Sequence, residues 1–174
     1  MIEFNLKEWL TDHSDSWKRV EDEFIFTHAT GHTSILLLRD GWRDDVLRPK
    51  SACLQAFYEN FLGASIGDGQ IIIGTPVMVG LSVSHNFRIP DLEEMANQSK
   101  ALGMPIPETR EVFIMEACWM FLYAIDQTAS GEALLRYDRD FQRVDMLLGI
   151  QPVLEDWWQM IQAEPKKQRN NETH

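Results

Sequence analysis

The stretch Trp119-Met120-Phe121-Leu122-Tyr123-Ala124-Ile125-Asp126-Gln127-Thr128-Ala129-Ser130-Gly131-Glu132-Ala133-Leu134-Leu135-Arg136-Tyr137 decides the fold. Trp119 to Ile125 is wholly apolar, short and rich in aromatic side chains, as suits a strand with buried faces. Asp126 to Gly131 is a polar connection, and Ala133 to Tyr137 opens a second short apolar run. Two such runs joined by a turn read as a β-hairpin or adjacent strands, hence as part of an antiparallel sheet.

Downstream, Arg136 to Phe141 begins as strand and becomes charged, so it reads as an edge pinned by its aromatics with its charges in water. Pro152 opens a final helix packed through Val153, Leu154, Trp157, Trp158 and Ile161, with Glu155 and Asp156 near its positive N-terminal end. Adjacent Trp157 and Trp158 cannot point the same way, so one could reach a rim or interface, but both in the core is the favoured reading. Upstream, Gly67-Asp68-Gly69 is a turn before the strand Ile71 to Ile73, and Gly74-Thr75-Pro76 bends the chain before Val77 to Val83. Ile35 to Leu38 reads as a short strand buried on both sides, although a helix could equally include part of it. Pro49 starts a helix carrying Cys53, Leu54, Ala56, Phe57 and Phe61, with Gly63 as its stop. Gly67 and Gly69 would then let that helix approach the Ile71 strand. Leu6, Trp9, Leu10, Trp17 and Val20 predict an opening helix from Leu6 to Val20, weakest across Asp12 to Ser16. Asp91 to Leu102 suits another short helix, ended by Gly103, Pro105 and Pro107. The fold class is therefore α+β, a mainly antiparallel sheet packed by helices. One domain is expected over 1–165, with 166–174 a flexible basic tail.

The chain has 174 residues and is 44% hydrophobic, enough for one substantial core. Its net charge of -11 argues against a phosphate backbone or an anionic membrane as principal partner, since each needs local positive charge. Setting aside the tail leaves 13 basic and 26 acidic residues, so the body is more acidic still and favours a basic protein partner. Met1 to Leu10 lacks the pattern of a secretory signal, and no apolar run approaches the roughly 20 residues of a membrane-spanning helix. A soluble cytoplasmic protein is expected. Cys53 and Cys118, the only cysteines, lie in no ligand or redox motif and read as core thiols.

Chemistry-bearing residues are present without completing a pattern. His28 and His32 are four residues apart and His13 sits among Asp12 and Asp15, but no zinc motif closes around them, and surface or locally hydrogen-bonded histidines are the simpler reading. Asp138 and Asp140 are too few for a cation shell. Ser65 lies in neither a nucleophile elbow nor a phosphate loop, and Ser82, Ser84 and His85 form no triad. Arg39, Arg43 and Arg48 beside Trp42 are neutralised by Asp40, Asp44 and Asp45, which argues against nucleic acid. No catalytic residue, metal ligand or cofactor site is assigned. What remains is an acidic surface with aromatic anchors: Asp12, Asp15, Glu21, Asp22, Glu23, Asp44 and Asp45 with Trp17 and Trp42, able to steer a basic partner and then bury a hot spot.

The order of elements resembles the SUKH superfamily, whose α+β domains serve widely as immunity proteins for polymorphic toxins and as regulatory proteins in eukaryotes. The resemblance runs from about Leu6 to Ile161. It is carried by Phe57, Tyr58 and Phe61, then Gly67, Gly69 and Ile71 to Ile73. It continues through Pro90-Asp91-Leu92-Glu93-Glu94, Trp119 to Asp126, Gly131, Tyr137-Asp138 and Leu154 to Trp158. Two features depart from the family pattern: Pro49 lies farther upstream of the aromatic helix, and Gly67-Asp68-Gly69 replaces an Asn-Gly-Gly-like turn. The resemblance implies a non-catalytic protein that neutralises a cognate toxin by direct complex formation. A regulatory adaptor and an uncharacterised hydrolase are the alternatives, and the oligomeric state is left open.

Overall fold

A computed structural model describes residues 4–38, 61–74, 97, 100, 101, 103, 111–126, 133–140 and 142–164. Among them, nine strands form one antiparallel sheet in which every strand pairs with its sequence neighbours: β1 (Ser16–Val20), β2 (Glu23–Thr27), β3 (Thr33–Leu38), β4 (Phe61–Ile66), β5 (Ile71–Ile73), β6 (Glu111–Ala117), β7 (Phe121–Asp126), β8 (Ala133–Tyr137) and β9 (Arg143–Leu148). Helices α1 (Leu6–Asp12) and α2 (Ile150–Ala163) share one core with a single face of this sheet. The chain is thus a mixed α+β domain built on a meander.

Helix α1 is capped by Asn5, whose side chain accepts the Glu8 N–H at 3.2 Å, and it buries Leu6, Trp9 and Leu10 at helical spacing. It stops at Asp12 and does not run to Val20. The Ser14 hydroxyl bonds back to the Thr11 carbonyl, and the Asp15 N–H donates to Thr27 of β2 at 2.9 Å. Side-chain competition for the backbone ends the helix, and Ser16–Val20 pairs in register with β2. Phe24 and Phe26 alternate inward on β2, and Leu36 and Leu37 bury opposite faces of β3, as the continuous apolar run predicts.

Gly67 and Gly69 make the β4–β5 turn with φ of 63° and 85°. A Cβ on Gly67 would lie 3.0 Å from the Ile161 side chain. The close approach is therefore to α2 and not to a helix ending at Gly63, because Phe61 and Gly63 belong to β4. The 49–60 part of that expected helix, Val77 to Val83 and the 166–174 tail lie outside the described residues. Asn97, Lys100 and Ala101 are helical and Gly103 turns at φ 69°, in keeping with a helix ending there.

Two further expectations change. Trp119 is not a strand residue: β6 and β7 form a hairpin whose turn is Cys118-Trp119, with the Met120 N–H donating to the Ala117 carbonyl at 3.0 Å. Nor is β8 an edge. β9 covers it, and Arg136 makes a bidentate bond to Asp145 across the pair at 2.9 and 2.7 Å. Helix α2 begins after Gly149 with Pro152 in its first turn, and Ile150, Val153, Leu154, Trp157, Trp158 and Ile161 all face the core. Both tryptophans are buried, the core reading of the pair. They diverge across the sheet: Trp157 donates to the Tyr123 hydroxyl on β7 at 2.6 Å, whereas the Trp158 ring packs 4.4 Å from His28 after β2.

Candidate functional site

The one serine–histidine contact among the described residues is sealed inside the fold. The His28 Nδ1 lies 2.7 Å from the His13 carbonyl, which can only accept, so that nitrogen carries the proton. Nε2 is then the acceptor and takes the Ser34 hydroxyl at 2.6 Å, while the Ser34 oxygen accepts the Gly67 N–H at 3.1 Å. This is the spacing of a nucleophile and its base. Ser34, however, is 0% exposed and Trp158 covers the imidazole, so no reactant reaches the hydroxyl in this conformation. The cluster ties β3, the segment after β2, the β4–β5 turn and the end of α1 together. His32, also buried, pairs its Nδ1 with the Thr30 hydroxyl at 2.8 Å. His13 stacks on Trp9 and approaches Glu155, which also accepts the Trp9 indole N–H at 2.7 Å. No group of three His, Cys, Asp or Glu side chains converges as metal ligands among the described residues.

Burial holds the His28 imidazole below the usual histidine range, opposed by the His13 carbonyl; His32 and His13 push it the same way as burial and Asp15 the other. At neutral pH the group is uncharged whether folded or unfolded. As pH falls below about 6.5 the unfolded chain takes the proton first, so stability declines toward the lower folded pKa. The melting temperature is expected to fall between about pH 7 and pH 5. His28→Gln, which can still donate to the His13 carbonyl and accept from Ser34, should flatten that slope in calorimetry.

The acidic surface read from the sequence is only partly assembled. Asp12 ends α1 and Asp15 precedes β1, whereas Glu21 and Asp22 form the β1–β2 turn at the strand's far end and Glu23 opens β2. Between these ends lie Trp17, Lys18 and Arg19, so the carboxylates form two groups with cations between them. Every residue of β1 is exposed. Trp17 is 49% exposed and meets Phe24 edge-on at 5.2 Å, with the Lys7 ammonium 5.6 Å from its ring centre and 4.2 Å from that of Phe24. Trp42, Asp44 and Asp45 lie outside the described residues, as do Cys53, Ser82, Ser84, His85, Arg43 and Arg48. Asp138 serves its own turn, accepting the Asp140 and Gln142 N–H groups at 3.0 and 2.9 Å.

Sequence reasoning missed a second surface on the far half of the sheet. Trp119 is 74% exposed at the β6–β7 hairpin tip, Met120 beside it is 54% exposed, and Met160 on α2 is 60% exposed. Met120 and Met160 border a cavity of about 380 Å³ between β7, β8 and α2, walled by Phe121, Tyr123, Arg136, Val153 and Trp157, with Asp156 and Pro152 also lining it. Arg136 is committed to Asp145 and stacks 4.7 Å from the Phe121 ring centre, so its charge in the cavity wall is already met. Burial pushes the Tyr123 phenol up and the Cys118 thiol up, keeping both protonated at neutral pH. Nothing in the sequence rules for exposed aromatics separates Trp119 from the apolar run that follows it. No protein-family model, curated protein or solved structure matches the chain.

Proposed function

We propose that the protein is a non-catalytic immunity protein that neutralises a cognate toxin by direct complex formation in the cytoplasm, as the SUKH resemblance implies. The observation that carries this reading is Trp17: a half-exposed aromatic on a wholly exposed edge strand, with acidic groups at both ends of that strand. An indole so placed buries a large area on contact at low entropic cost, and flanking carboxylates raise the encounter rate with a basic surface. The sealed Ser34–His28 pair and the net charge of -11 add support, the first by withholding an obvious reactive group and the second by favouring a basic partner. No described helix is long and apolar enough to cross a membrane.

The test is co-expression with the product of the gene immediately preceding this one. That product alone should be toxic, and this protein should restore growth and co-purify with it. Asp12→Lys with Asp22→Lys should weaken the complex by about 10–100-fold, mostly through the association rate, with an unchanged melting curve. Binding without rescue would instead make the protein an adaptor. A neighbour that is neither toxic nor bound would remove the immunity reading.

A further inference from the structure

The β6–β7 turn is built at a cost that folding alone does not explain. Cys118 and Trp119 both have positive φ, 50° and 60°, in the loop of 118–120, and neither is the Asn or Gly that positive φ in a hairpin turn favours. Such residues persist in the left-handed region only when their surroundings hold them there. Here the hold is visible: Arg139 donates to the Trp119 carbonyl and, at 2.7 Å, to Glu116, while its guanidinium lies 5.9 Å from the Trp119 ring centre. The Cys118 N–H also donates to the Gln70 carbonyl. A strained, braced turn thus presents an indole that packs against little, one residue along the chain from Met120 in the cavity lining. Rigid aromatic presentation next to a methionine-rimmed apolar recess is the anatomy of a binding hot spot, since methionines adapt to the inserted group and a fixed indole loses little freedom.

We infer that this hairpin and cavity form a docking site for a protein segment that inserts one apolar side chain flanked by basic residues. The charge half of the assignment comes from Asp156, which is exposed at the cavity and makes no ion pair among the described residues, while the Arg136 charge is already met by Asp145. Among the described lining residues an anionic insert would therefore meet a carboxylate and no unmet cation, and a cationic flank would meet an unspent carboxylate. This rests on the reading of the chain as a protein-binding domain but not on the partner being a toxin.

The probe is a short peptide with one phenylalanine between lysine pairs, compared with its glutamate-flanked counterpart and with a lysine peptide carrying alanine instead. With methyl-labelled methionine, the lysine–phenylalanine peptide should shift the Met120 and Met160 signals saturably, binding at least roughly 10-fold more tightly than either control. Asp156→Lys should lose about that factor. The double change Cys118→Asn and Trp119→Gly should raise the melting temperature by roughly 3–8 °C, because it suits the turn, and weaken the peptide by about 10-fold or more. Equal binding of the three peptides, absent methyl shifts, indifference to Asp156→Lys, or a double variant that melts lower would each overturn the assignment. Peptide failure with toxin neutralisation intact would discard this site and leave the proposed function. Peptide binding without any neutralisation would do the reverse.

Discussion

Trp158→Ala is expected to lower the unfolding free energy by about 3–5 kcal/mol, the largest stability loss of any single change considered for this chain. Trp158 is 2% exposed and stands where α1, α2 and the His28 segment meet, with Trp9 edge-on at 6.0 Å and His28 at 4.4 Å. Truncation leaves a cavity that no single neighbour can fill, and a loss of that size is a large share of the 5–15 kcal/mol typical of a folded domain. Trp158→Phe should cost much less. It keeps most of the ring and removes an indole N–H that is buried without a hydrogen-bond partner among the described residues, relieving a penalty of about 1–3 kcal/mol. Urea unfolding of the three proteins would give the order wild type, Phe, Ala, with the gap from Phe to Ala the wider.

Ser34→Ala is the second large effect, and it separates a structural serine from a chemical one. Removing the hydroxyl strands two buried groups at once, His28 Nε2 and the Gly67 N–H, for an expected loss of about 2–4 kcal/mol. Thermal unfolding should therefore move down by several degrees. Neutralisation measured well below the melting temperature should be unchanged, because the hydroxyl lies under Trp158 and touches no partner. A protein that kept its stability but lost its activity would instead mark Ser34 as a reacting group, and would favour the hydrolase alternative.

The antiparallel sheet was legible in the Trp119–Tyr137 stretch because two apolar runs separated by polar and glycine residues have few other uses. The final helix was legible from its spacing, which repeats from Ile150 to Ile161. What escaped did so for identifiable reasons. The β6–β7 turn carries Cys and Trp where turn chemistry calls for Asn and Gly, so strand and turn merge into one apolar run. β6 has a register shift between Phe113 and Met115 that places both Ile114 and Met115 in the core, which erases the alternation a strand normally shows. β9 keeps Val144 and Met146 exposed among charges, and so lacks the apolar contrast of a strand with one buried face. β1 joined the opening helix in the sequence reading because Trp17 and Val20 continue its spacing, whereas both are exposed on an edge strand.

The same causes limited the site. Trp17 could be named because acidic residues surround it in the sequence. Trp119 could not, because its exposure depends on a left-handed turn braced by Arg139, 20 residues downstream. Pairing of Arg136 with Asp145 and placement of Asp156 at the cavity are likewise products of the meander and of α2, not of local pattern.

The most direct measurement is a titration of the purified neighbouring toxin's activity with this protein, with toxin held well above the dissociation constant. Stoichiometric occlusion gives a linear fall that reaches zero at one equivalent and does not deepen on longer incubation. Inactivation that continues with time at a small fraction of an equivalent would show turnover, and activity that survives a large excess would show that the toxin is not the partner; either result contradicts neutralisation by binding.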